Sequence, residues 1–168
     1  MKIVAFFDRV NNLDLQAVEK QLISSNKWTV EQTQVAINRY KLFLYLQSLY
    51  PSTMLVPTQE IDAVWHAHIE VNLLNYVRDS LYLFGYILNH CSTIGCEQNE
   101  ETHQIHKQAF SKTTALFAEF FGIDILQNTS IHPACCADIP FHNHLAPCTD
   151  IPINPNLSLE MNISVENY

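Results

Sequence analysis

The residues of this chain best suited to chemistry cluster in the stretch Ile61-Asp62-Ala63-Val64-Trp65-His66-Ala67-His68. In a helix, side chains advance by about 100° per residue. Ile61, Val64, Trp65, His68 and Ile69 then share one face, and Asp62, His66 and Glu70 share another. The two histidines point apart, so His66-x-His68 chelates as a pair only on a strand. Asp62 and His66, four residues apart, stack one turn above the other, a spacing that lets one helix offer a carboxylate and an imidazole to a shared cation. The third ligand must come from elsewhere, and His90 is the candidate, delivered by the chain after Gly85. Asp62, His66 and His90 would make a set of two imidazoles and one carboxylate, with open positions for water or substrate. Two metal-free readings use the same residues. Asp62 can accept a hydrogen bond from His66 and fix its tautomer, while His68 fills the core beside Trp65 and bonds a backbone carbonyl. Alternatively, His66 acts as a general acid or base.

A second group lies in the last third of the chain. His132, Cys135, Cys136, His142, His144 and Cys148 put six borderline or soft ligands within seventeen residues. Zinc favours four such groups in a tetrahedron, and a proline-rich segment with few long apolar side chains would gain folding free energy by closing around one ion. One tetrad is His132, Cys135 or Cys136, His142 or His144, and Cys148, with Cys91 or Cys96 able to replace a member. Against this, adjacent cysteines rarely serve one ion together, and there is no Cys-x-x-Cys. The plainer reading packs the cysteines as small hydrophobes against the helices and leaves the histidines at the surface. A reactive thiolate needs a nearby cation or helix N-terminus, and this segment contains no Lys or Arg.

The elements that must position these groups are helices. Leu15, Val18 and Leu22 mark a short amphipathic helix over about 13–24. Thr29 with Gln32 has the capping-box form, opening a helix on which Val35, Leu42, Leu46 and Leu49 hold one face until Tyr50-Pro51. Thr58 can cap the helix that carries Trp65 and His66, with Glu60 favourable near its positive end. Asn72 can cap the next, from Leu73 to about Leu83. Gly85 suits a left-handed C-cap before an extended run to His90, itself a loop or strand end. Asn99, Glu100 and Glu101 open a last long helix that aligns Ile105, Ala109, Leu116 and Phe120 and closes at Gly122. The spacing thus predicts a mainly α fold: a single helical domain of about five helices over 1–122, followed by an irregular Pro/Cys/His-rich segment over 123–168. That segment holds five of the seven prolines and shows no sustained period.

Val56-Pro57, Ile61-Asp62, Trp65-His66, Tyr76, Phe84-Gly85 and His90 also fall in a familiar order. Over roughly residues 40–122 the chain resembles the glycine-rich domain-containing protein-like family, whose members share an Ile-Asp-x-x-Trp-His core, a downstream Tyr, and then Gly and His. The resemblance implies a helical region of unassigned biochemical activity and supplies no catalytic residue. This chain has only three glycines, so nothing attached to a glycine-rich region carries over to it.

Composition narrows the function classes. The formal net charge is −8, all nine Lys and Arg residues lie at or before Lys112, and six Asp or Glu follow it. Nucleic-acid binding needs cations to displace condensed counterions, so no nucleic-acid partner is expected. Apolar runs are broken before the length of a membrane span, and Asp8 and Arg9 interrupt the start before a signal-peptide core can form, so an acidic cytoplasmic protein without a membrane segment is expected. Export by a non-classical route stays open. Five cysteines, an odd number, argue against a disulfide framework. No phosphate-binding glycine loop, serine nucleophile elbow or His-Glu-x-x-His is present. Two functions remain. One is a metal-binding protein, with zinc as the cofactor, built around the Trp-His segment. The other is a helical module that binds or regulates a protein partner without catalysis.

Overall fold

A computed structural model describes residues 2–90, 100–126 and 133–134. They form α1 (Lys2–Asn11), α2 (Gln16–Asn26), α3 (Val30–Leu49), α4 (Gln59–Val71), α5 (Leu73–Phe84), α6 (Glu100–Phe121) and a 3-10 helix at Ile123–Leu126. The fold is mainly α, as expected, with one helix more than the sequence pattern predicts. The only extended pairing among the described residues is an isolated antiparallel bridge between Thr58 and Pro133.

Three helix starts are set by side chains. Thr29 accepts the Gln32 N–H while the Gln32 side chain accepts the Thr29 N–H, so the capping box is complete. Thr58 accepts the Ile61 N–H, and Asn72 accepts the Asn75 N–H. Each bond satisfies one of the backbone donors that the first turn of a helix leaves without a partner. Gly85 closes α5 in the left-handed region at φ 77°, where a residue without Cβ pays no steric penalty.

α4 lies at the centre of the helices, packed on α2, α3 and α5, while α1 packs on α3 and α5. The expected faces of α2 and α4 hold: Leu15, Val18, Leu22, Ile61, Val64, Trp65 and His68 are all buried. Two other expected faces are corrected. On α3, Val35 and Leu49 are exposed, while Ala36, Tyr40, Phe43, Leu44 and Leu46 are buried. This helix has neighbours on several sides, so no single apolar stripe describes it. On α6, Ile105 and Phe120 are exposed and the inner face is His106, Ala109, Thr113, Leu116 and Phe117. An apolar stripe is blind to this register because two of its markers are polar. Thr113 sets it: its hydroxyl accepts the Val56 N–H at 2.9 Å and donates to the Ala109 carbonyl at 3.0 Å.

α1 is the helix absent from the sequence expectation. Phe6 and Val10 bury its inner side, and Arg9 donates to the Tyr82 carbonyl at 3.0 Å while lying near the Phe6 and Tyr82 rings. A ten-residue helix gains little from propensity alone and forms because tertiary contacts hold it. At the other end, Arg39 of α3 ties the 3-10 helix down through its Nε, which donates to the Ile125 carbonyl at 2.8 Å. The Ala134 N–H donates to the Pro57 carbonyl at 3.1 Å, placing that residue beside the strap that leads into α4.

Candidate metal centre

The extended segment after Gly85 carries His90 back onto α4. Its Nε2 lies 2.8 Å from Asp62 Oδ1, while His66 Nε2 lies 3.4 Å from Asp62 Oδ2. One donor atom from each of Asp62, His66 and His90 fits within a mutual spacing of 4.8 Å, and these three form a possible metal-binding group. Side-chain exposure is 4% for Asp62, 12% for His66 and 8% for His90. The imidazoles of His66 and His90 meet edge to face at 4.4 Å, and the Trp65 ring backs His90 at 4.5 Å.

Burial by itself would discourage a charge on Asp62. Hydrogen bonds from His66 and His90 outweigh it, and the carboxyl is held below the usual carboxylate range. The same competition acts on His66: burial disfavours its cation, the Asp62 carboxylate favours it, and the pKa ends raised. The site is therefore a buried carboxylate whose two oxygens each face an imidazole nitrogen. These are the atoms a divalent cation would take in place of protons, and the donor set is one that zinc accepts.

A second layer of hydrogen bonds fixes the ends of this arrangement. The Tyr76 hydroxyl accepts the Trp65 Nε1–H at 2.8 Å and donates to the Leu88 carbonyl. α5 thereby fastens α4 to the segment that presents His90, and burial pushes the Tyr76 pKa up to about 12, keeping the hydroxyl a donor. Arg39 holds both carboxylate oxygens of Glu60, at 2.8 and 3.2 Å, in the first turn of α4. Glu60 still has a raised pKa, because its burial outweighs the Arg39 charge.

His68 points away from His66, as helix geometry requires. Its ring sits between the Tyr40 hydroxyl, 3.1 Å from Nδ1, and the Asp79 carboxylate, 3.2 Å from Nε2. The expected backbone carbonyl partner is thus replaced by two side chains. Burial lowers the His68 pKa against the pull of Asp79. A neutral ring protonated at Nε2 satisfies both partners. Tyr40 and Asp79 escape sequence reasoning because each reaches His68 from a different helix, with no local spacing to betray them.

His132, Cys135, Cys136, His142, His144 and Cys148, together with Cys91 and Cys96, lie outside the described residues. His103 and His106 lie three residues apart on α6, where His103 is exposed and His106 is buried. His106 instead lines a cavity of about 340 Å³ that also has Asp62, Trp65 and His90 in its wall. Among the described residues, no helix is long and apolar enough to cross a membrane.

Residues 8–79 match the family model described as Glycine-rich domain-containing protein-like. Over 93 residues, 53% of this chain, the sequence is 33% identical to Glycine-rich domain-containing protein 2 of Arabidopsis thaliana. That match spans 11% of the plant protein's length. No solved structure matches the chain. The matched region lies further toward the N-terminus than the resemblance over residues 40–122. It takes in α2, α3 and α4 and ends at Asp79, so it includes Asp62 and His66 but stops short of Gly85 and His90. Over residues 8–79 the chain is similar to the glycine-rich domain-containing protein-like family.

Proposed function

We infer that this chain is a metal-binding protein in which Asp62, His66 and His90 hold a divalent cation, zinc first among the candidates. The supporting observation is the convergence of a carboxylate and two imidazoles from two separate chain segments within 4.8 Å, nearly closed to water. Helix periodicity alone brings Asp62 and His66 together. It does nothing for His90, which arrives only because Gly85 and the Tyr76 bond to the Leu88 carbonyl steer the segment back. Three protein ligands leave room for a fourth, the pattern of zinc sites that bind or activate something. Bound there, zinc would supply Lewis acidity and lower the pKa of a coordinated water. Asp62 would keep its charge through its lowered pKa, and Trp65 would hold the His90 ring against rotation.

The test is elemental analysis of the full chain purified without a histidine tag or chelator. One equivalent of zinc in the wild type, retained in Cys135→Ser/Cys136→Ser and lost in Asp62→Ala and His90→Ala, is expected. Zinc lost with the cysteines and kept by the two alanine variants would move the ion to the C-terminal segment. The second reading, a helical interaction module without metal, draws support from Leu74, 79% exposed beside Leu73 on α5. It prevails when no sample contains a stoichiometric metal.

A further inference from the structure

The cavity beside the centre has a composition that selects among ligands. Asp62 and His90 belong to its wall and His66 does not, so an outside molecule reaches the candidate centre from this side. Leu55, Trp65 and Leu88 give it an apolar lining, while Gln47 and His106 add neutral hydrogen-bonding groups. Among the described residues, no Lys or Arg lines it. Its volume of about 340 Å³ lies at the small end of the range for small-molecule sites.

These features set a charge requirement. A divalent ion beside Asp62, the one carboxylate among the described residues that line the cavity, leaves one positive charge in a half-open, partly apolar pocket. A buried charge without a partner is costly, so the stable complex is the one in which a monoanion supplies the balancing charge. A dianion would overshoot, with no cation in the wall to answer it. A neutral apolar molecule would leave the open metal position to water.

We propose that the cavity is the binding site of a small monocarboxylate with an apolar body, whose carboxylate completes the coordination of the ion held by Asp62, His66 and His90. This rests on the metal reading above. The body lies against Leu55, Trp65 and Leu88, and the carboxylate oxygen turned away from the metal is within the province of Gln47 and His106. Burial, and behind it the charge of His103, lowers the His106 pKa, so that ring enters as a neutral hydrogen-bonding group and leaves the charge count unchanged.

Cobalt(II) serves as the metal probe and benzoate as the ligand probe, both with the full chain. Cobalt is expected to give visible d–d bands in the wild type, and benzoate to shift them saturably. Met54 lines the cavity and is 42% exposed, which puts it at the rim, where a larger side chain obstructs entry with little disturbance of the core. Met54→Trp should keep the cobalt bands and bind benzoate at least about tenfold more weakly. Thr53→Trp, at the same rim, gives the same comparison should Met54→Trp fail to fold. Bands that benzoate leaves unchanged, or shifts equally in wild type and rim variant, overturn the carboxylate site and leave the metal centre standing. An absence of bands in the wild type before benzoate is added overturns the metal centre and the carboxylate site together.

Discussion

Tyr76→Phe isolates one hydroxyl that holds the candidate centre in place. In the wild type this oxygen accepts from Trp65 Nε1 at 2.8 Å and donates to the Leu88 carbonyl, and Tyr76 and Trp65 are both buried. The phenylalanine ring fills the same space, so no cavity term arises. What remains without that partner are one indole N–H and one carbonyl, each costing about 1–3 kcal/mol when buried, beside the Ser80 side chain that also bonds the Tyr76 oxygen. Some relaxation reduces the sum, giving an expected loss of about 2–4 kcal/mol. For a chain of this length that lowers Tm by roughly 5–15 °C. The same cut frees the segment carrying His90 while leaving the Asp62 and His66 pair on α4 intact. Zinc affinity should fall about 10–100-fold, the range seen when a group supporting a ligand is removed. Urea unfolding in chelator measures the first effect, and zinc competition titration of the folded variant measures the second. A urea midpoint equal to that of the wild type refutes the hydrogen-bond argument. A lowered midpoint with unchanged zinc affinity refutes the claim that Tyr76 positions His90.

Other expectations follow from neighbouring contacts. Arg39→Ala leaves the half-buried Glu60 carboxylate without its partner and releases the Ile125 carbonyl, and should cost about 2–4 kcal/mol in urea unfolding. The pair Arg39→Met/Glu60→Met should recover part of that loss, since it removes both charges. His66 and His68 should show opposite pH linkage in metal-free protein, measured as wild type minus Gln variant. The raised pKa of His66 gives a contribution complete below its unfolded value of 6.5 and lost as pH rises through the folded value. The lowered pKa of His68 gives one complete above 6.5 and lost as pH falls toward its folded value. Equal slopes for the two variants would contradict the burial and pairing described for each ring. Gly85→Ala should destabilise by about 1 kcal/mol, through left-handed backbone strain alone, because no atom lies within 4 Å of the added Cβ.

Much of this structure is legible in the sequence because short-range rules govern it. Thr29, Thr58 and Asn72 act as caps, and Gly85 terminates α5, all through contacts within a few residues. Helix periodicity likewise separates His66 from His68 and stacks Asp62 under His66. Chain order after Gly85 points to His90, whereas the Tyr76 bond to the Leu88 carbonyl that helps steer it onto Asp62 leaves no local mark. What escaped depends on long-range partners. α1 forms against α3 and α5, the inner face of α6 is set by a threonine bonded to a loop, and His68 is satisfied by Tyr40 and Asp79 from other helices. No pattern along the chain records contacts of that kind. His106 in the cavity wall belongs to the same category, since a histidine on a polar helix face gives no sign of what the helix packs against.

X-ray absorption spectroscopy of the zinc-loaded full chain tests the metal centre most directly, because it reports the ligand atoms themselves. The Asp62, His66 and His90 set predicts a shell of nitrogen and oxygen at about 2.0–2.2 Å, with the multiple-scattering signature of imidazole and no sulfur. A zinc–sulfur shell at about 2.3 Å would contradict the account and place the ion among the cysteines instead.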